Sequence, residues 1–277
     1  MRGFLSGGLL LIWCLAGSTG VPARAAAGFD HTYETYGALL ATHLDGTRVD
    51  YARLVANRAA LDRVAAAFGT VTRAEEAAWS APQRMAYWIN AYNVFTLKVV
   101  TDHYPIRGRW LSFYPKNSIR QIDGVWTTLR WSAGGRQVTL DDIEHRILRP
   151  EFKDPRVHFA VNCASIGCPP LAPEPFRGAR LGAQLDAAAV RYLAGSTGLV
   201  VSGTTLRLSS IFKWYGSDFE TQFLARGPAG RRGTERALLG MVADYGPPAA
   251  RVLARDASTR IAYLDYDWTL NDVTAGR

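Results

Sequence analysis

The 277-residue sequence predicts an α+β fold in a single domain, with a central buried helix, short antiparallel hairpins and peripheral helices. Three observations carry that reading. Helix-like and strand-like segments are segregated, with little β-α-β alternation. One helix, opening at Ser80, is apolar around so much of its surface that it belongs at the centre. No linker, repeat or low-complexity block divides residues 26–277, and a chain of that size can bury one substantial core.

The elements follow from local chemistry. A helix is expected from about Thr32 to His43, broken by Asp45-Gly46. Thr47 to Leu54 reads as a turn and short strand, and Asn57 to Phe68 as an amphipathic helix ended by Gly69. Thr72 with Glu75 makes one capping box, and Ser80 with Gln83 a second, with Pro82 in the first turn. The second box opens the long helix, which ends before Tyr104-Pro105. Val125–Trp131 and Arg136–Leu140 resemble a hairpin across Ala133-Gly134-Gly135. Thr139 then caps a helix from Leu140 to Leu148, stopped by Arg149-Pro150. Val157–Asn162 reads as a short strand, and Leu199–Ser202 with Thr205–Ser209 as a hairpin around Gly203. Helices are expected at about Ser210–Tyr215, Phe219–Arg226, Thr234–Asp244 and Pro248–Arg255, with a closing strand at Arg260–Tyr266.

The N-terminus has the order of a secretory signal. Arg2 is followed by the uncharged stretch Phe4–Ala16 and the small-residue site Ala23-Arg24-Ala25. The expected domain boundaries are therefore 1–25 for the signal peptide and 26–277 for the domain, with a periplasmic or secreted product after cleavage near Ala25. An uncleaved anchor is the alternative. Cys14 follows Trp13, a poor context for lipid attachment, and no later stretch is long enough to span a membrane. Removing residues 1–25 leaves 252 residues at +6, against +8 for the whole chain. Only four of the 32 cations are Lys, and the longest basic run is Arg231-Arg232. Nucleic-acid binders concentrate such charge on one element, so no nucleic-acid partner is expected.

Candidate functional groups fall on three elements. Asn90 and Asn93 share a stripe of the central helix, where they could position a substrate or simply tie down loop backbone. On the helix Leu140–Leu148, Glu144 falls inside the apolar arc and His145 on its flank, four residues after Asp141. A carboxylate aimed at a core must be paired, hydrogen-bonded or protonated, which makes Glu144 a candidate acid/base or a structural partner. His158 precedes Cys163 by five residues, about 16 Å if the chain is extended, too far for a direct base.

For Cys163 and Cys168, three readings stay open beside an inert buried thiol. An exported setting favours a disulfide across the short loop, which Gly167 permits. A catalytic thiolate at Cys163 is the second. A metal site with His145 or His158 is the third and poorest, because the spacing matches zinc loosely. Neither metal nor other cofactor is expected.

Six blocks resemble one known family. VDYARL (Val49–Leu54), YWINAYNVFTL (Tyr87–Leu97), the segment Leu140–His145, HFAVNCASIGCPPL (His158–Leu171), IFKWYGSDF (Ile211–Phe219) and YLDYDWTLN (Tyr263–Asn271) are similar to members of the domain of unknown function 547 family. Together they span most of residues 47–271. The resemblance carries no activity with it. It implies export for bacterial members, and eukaryotic members often have Ser at the second cysteine, implying that Cys163 matters by itself. The functional expectation is a Cys-centred hydrolase or acyl transferase acting on a small-molecule or peptide ligand. Its catalytic candidates are Cys163, Glu144, His145 and His158, with Asn90 and Asn93 binding substrate; papain-like and transglutaminase-like thiol enzymes are analogous in residue type only. The rival expectation is a non-catalytic periplasmic binding or scaffold domain with a structural Cys163–Cys168 disulfide and a cleft lined by aromatics such as Trp214 and Trp268.

Overall fold

A computed structural model describes residues 28–275; the expected signal segment, 1–25, lies outside the described residues. The long helix α5 (Ala81–His103) opens with the Ser80/Gln83 capping box and is buried without interruption from Met85 to Leu97. It is the axis of the larger apolar core, packed by α1 (Glu34–His43), α2 (Tyr51–Ala56), α3 (Arg58–Gly69) and the segment 139–152. On α4 (Arg73–Ala78), where the N-cap Thr72 side chain accepts from Glu75 N–H, the buried Glu76 accepts from Trp88 Nε1 and Arg136 at 2.8 Å each. That pairing satisfies a carboxylate inside the core.

A second core collects Phe212, Phe219 and Phe223 with two helices, Gly233–Tyr245 and Pro248–Ala254, beneath a three-stranded sheet. In that sheet Leu199–Ser202 pairs antiparallel with Thr205–Leu208, which pairs parallel with Arg260–Tyr263. Phe159 belongs to the second core, whereas Val157, Ala160 and Val161 belong to the first. The segment leading to Cys163 therefore runs along the seam between the two cores, a common place for a cleft.

Helices and small sheets segregate as expected for an α+β domain, but several local expectations are corrected. Thr47–Leu54 is not mainly strand: a two-residue hairpin, Leu44–Asp45 with Arg48–Val49, is followed at once by α2. The cause is Asp50, whose carboxylate accepts from Arg53 N–H at 2.9 Å and starts the helix. The hairpin before residue 139 shrinks to Trp131–Ala133 and Arg136–Val138, because Gly124, at φ 63°, opens a turn in which its carbonyl receives Thr127 and Thr128 N–H. Val157–Asn162 is not a strand either. Asp154 caps a 3-10 turn at Pro155–Phe159, with Pro155 pre-set for the first helical position.

The expected stop at Arg149-Pro150 also fails: Asp142–Phe152 winds as a π-helix through Pro150. The wider turn leaves room for a ring that would clash in an α-helix, at the loss of the one hydrogen bond that Pro150 cannot donate. A helix that the sequence reading passed over spans Leu181–Ala194, burying Leu181, Leu185, Ala188, Ala189 and Tyr192. Its helical period was present but written largely in alanine. No helix among the described residues is long and apolar enough to cross a membrane.

The two helix asparagines are spent on backbone. Asn90 Nδ2 donates to Phe176 O at 2.7 Å and its Oδ1 accepts from Phe176 N at 2.9 Å. Asn93 does the same for the seam, donating to Ala160 O at 2.9 Å and accepting from Asn162 N at 2.8 Å. Asn93→Leu should strand both buried backbone groups and cost about 2–4 kcal/mol. Urea denaturation measures that loss; a change below about 0.5 kcal/mol would show that the clamp contributes little.

Candidate functional site

The loop after Asn162 is built to present Cys163. Asn162 Nδ2 donates to Pro169 O at 2.7 Å and its Oδ1 accepts from Ala164 N at 2.9 Å, so one side chain closes the loop at both ends. Ala164 sits at φ 57°, a left-handed conformation that a non-glycine residue holds only when its surroundings enforce it. The C-terminal segment then lies along the loop: Ile166 N donates to Thr269 O at 2.8 Å and Gly167 N to Asp267 O at 2.9 Å. Gly167 is required by this approach, since a Cβ there would meet the Tyr266 ring and Asp267 N at 3.0 Å.

That apposition delivers Tyr266 to the sulfur. Cys163 Sγ, half-buried, lies 2.8 Å from Cys168 Sγ, 3.1 Å from Tyr266 Oη and 3.4 Å from Ser165 Oγ. Tyr266 and Ser165 are themselves 2.9 Å apart. Both cysteines are free thiols. The Cys168 hydrogen bond holds the Cys163 thiol below its ordinary pKa against the opposing effect of burial, and Ser165 and Tyr266 act in the same direction as Cys168. Burial pushes Cys168 and Tyr266 well up, so both stay protonated; Cys168 Sγ receives Cys163 N–H at 2.9 Å and its own S–H points to Val161 O at 3.7 Å.

Among the described residues no histidine is a hydrogen-bond partner of this sulfur. His158 Nε2 donates instead to Asp218 Oδ2 at 2.8 Å, and its ring stacks on Tyr215 with centroids 4.4 Å apart. Arg149 grips the same carboxylate through Nε at 2.7 Å and Nη2 at 3.0 Å. Its Nη1 also donates to His145 Nδ1 at 3.0 Å, while His145 Nε2 stands 3.8 Å from Asp141. Burial opposes ionisation of Asp218, but the bonds from His158 and Arg149 outweigh it and hold its pKa well below the usual carboxylate range.

All four expected catalytic residues line one cavity of about 470 Å³, within the range of ligand sites. Cys163 and His158 both reach it because a 3-10 turn has replaced the extended chain assumed in estimating their separation. Glu144 is 7 % exposed and, among the described residues, has no hydrogen-bonding or ion-pair partner; its charge bears on Cys163, tending to raise the thiol pKa. Trp214 and Trp268, expected in a cleft, are there with Trp126, Tyr215 and Tyr266. Asn90 and Asn93, expected to bind substrate, are not in its wall; both amides are engaged by backbone. No group of three or more His, Cys, Asp and Glu side chains among the described residues is arranged to hold a metal ion.

The sequence reading missed Arg120, and it quoted Ser165, Asp218 and Tyr266 within family blocks without giving them a role. Ser165 alone carried a local signal, two residues after the cysteine; the others arrive through tertiary packing. Asp218→Asn should destabilise the protein by about 1–3 kcal/mol at neutral pH. Because the folded carboxyl titrates below its unfolded value of about 4, the wild-type advantage is complete above that pH and is lost as pH falls through the folded value. Denaturation across this range reads the effect; a gap independent of pH would overturn the assignment.

No curated protein and no solved structure matches this chain. Residues 77–193 match a family model described as "Protein of unknown function, DUF547". The matched span holds α5, the π-helix and the whole Cys163–Cys168 loop, whereas Trp214, Tyr215, Asp218, Tyr266 and Trp268 lie beyond it. The central helix and the thiol loop of this chain are thus parts of a DUF547 family domain.

Proposed function

We propose that the cavity is the active site of a thiol enzyme that hydrolyses an amide or thioester, or transfers its acyl group, with Cys163 as nucleophile. One observation carries this reading: the Cys168 thiol and the Tyr266 and Ser165 hydroxyls converge on a half-buried sulfur in the wall of a ligand-sized cavity. The Cys163 sulfur attacks the carbonyl carbon, forming a C–S bond, and the carbonyl electron pair moves to oxygen. Tyr266 and Ser165 lose their anionic acceptor as the sulfur is consumed, and their hydroxyls are free to turn toward the new oxyanion. Glu144 receives the proton given up by the thiol and returns it to the leaving amine or thiol. It then takes a proton from water, or from an acceptor amine or thiol, as that group displaces Cys163 from the thioester.

His145 and His158 are positioning groups in this scheme. Each is committed to an ion-pair chain that fixes the wall beside the sulfur. The proposed setting is outside the cytoplasm after cleavage near Ala25, which N-terminal sequencing of the exported protein tests. There the second reading, a binding domain with a Cys163–Cys168 disulfide, is favoured by two sulfurs already in contact.

Thiol chemistry separates the two. After reduction, iodoacetamide should modify Cys163 before Cys168, with a rate midpoint below the free-thiol value of about 8.5. Tyr266→Phe should raise that midpoint and slow alkylation at neutral pH by roughly threefold to tenfold. A Cys163 that stays inert after reduction, or Cys168 reacting first, would overturn the thiol-enzyme reading. A native protein with no free thiol, and unchanged ligand binding on reduction, would favour the binding domain.

A further inference from the structure

One cation in the cavity lacks a counter-charge. Arg149 and Arg156 each grip a carboxylate. Those two lie outside the cavity wall; Arg120 lines it, and among the described residues it has no ion-pair partner, and its Nε is buried without a hydrogen bond. Aromatic faces hold it instead: its guanidinium carbon lies 4.2 Å from the Trp268 ring centre, 4.9 Å from Trp126 and 5.1 Å from Tyr114. Its backbone is fixed by Ser118 Oγ, which accepts Arg120 N–H at 3.2 Å, and the adjoining Asn117 O receives Leu270 N–H at 3.1 Å. The arginine is therefore oriented by the same C-terminal segment that brings Tyr266 to the thiol.

A planar cation stripped of part of its water, flanked by rings and left unpaired has its donors free for a ligand. We propose that Arg120 is the carboxylate-binding residue of this site, and that the acyl substrate carries a carboxylate. The spacing is set by side chains in contact. Arg120 lies on Trp268, Trp268 meets Tyr266 with ring centroids 4.5 Å apart, and Tyr266 Oη lies 3.1 Å from the sulfur. The carboxylate thus sits one indole and one phenol away from the bond that Cys163 attacks. Asp141 and Glu144 line the same cavity, so a second carboxylate beside them would be repelled. The fitting substrate is anionic at the tryptophan end and neutral or cationic at the other. This assignment rests on the thiol reading for the reacting bond, but not for the anion site itself.

Two reagents of similar shape and different charge test it. Dithiobis-nitrobenzoate is an aromatic disulfide with two carboxylates, and dithiodipyridine is a neutral aromatic disulfide. With either, the Cys163 thiolate attacks one sulfur, forms the mixed disulfide and releases the other half as a thiolate. Relative to reduced wild-type protein, reduced Arg120→Gln should react about tenfold more slowly with the anionic reagent and at the same rate with the neutral one. Arg120→Lys, which keeps the charge and loses the fork, should fall between. Added salt should narrow the wild-type difference. Equal slowing of both reagents, or of neither, overturns the proposal.

If neither reagent labels Cys163 by mass spectrometry, the thiol reading fails, and the anion site is judged separately by tryptophan fluorescence of Cys163→Ser. Benzoate should then bind more tightly than benzamide, and Arg120→Lys should erase most of that preference. Equal binding of the two overturns the site. Should Arg120→Gln fail to fold, the lysine variant and the salt dependence decide by the same criteria.

Discussion

Asn93 joins the two parts of the molecule that the site requires. From the middle of a buried helix it gives its amide to Ala160 and takes Asn162 N–H, fixing where the thiol loop leaves the seam between the two cores. Asn162 then closes that loop, and the C-terminal segment pairs along it. Each step needs the one before. A polar side chain in an apolar helix is costly unless its donor and acceptor are both used; here they organise a segment with little regular structure of its own.

The same economy runs through the wall of the cavity. Arg149, Asp218, His158 and His145 form one connected chain, with the His158 ring pressed on Tyr215. Such a network fixes ring orientation. Fully engaged side chains are poorly placed to act as proton carriers, whereas Glu144 and Arg120 hold unspent bonding capacity toward the cavity. In the proposed mechanism the proton-carrying and anion-binding roles fall to those two residues for that reason.

The α+β class, the central helix with its Ser80/Gln83 capping box and the Thr72 cap were legible in the sequence because each depends on residues a few positions apart, whereas Glu75 turns from the other expected box to Phe29 N–H. The convergence of Cys163, Glu144, His145 and His158 was legible as a list of residue types but not as geometry. Two local features misdirected it. Val157–Asn162 alternates like a strand, yet Asp154 and Pro155 turn it, and Pro150 reads as a stop although a π-helix absorbs it. Asn90 and Asn93 were correctly expected to be buried, but burial alone did not say whether their partners were ligand or backbone. Arg120 was hidden among many arginines, since an absent counter-charge is visible only in three dimensions.

The pairing of the C-terminal segment with the thiol loop also has a consequence in time. Tyr266 follows Cys163 by 103 residues, so a chain still being synthesised carries the cysteine long before it carries the phenol. Until the last segment docks, that sulfur lacks one of the donors that lower its pKa and is closer to an ordinary thiol, weakly ionised near neutrality. The order of synthesis therefore leaves this thiol the more weakly ionised while the chain is incomplete, and its lowered pKa coincides with the closing of the fold.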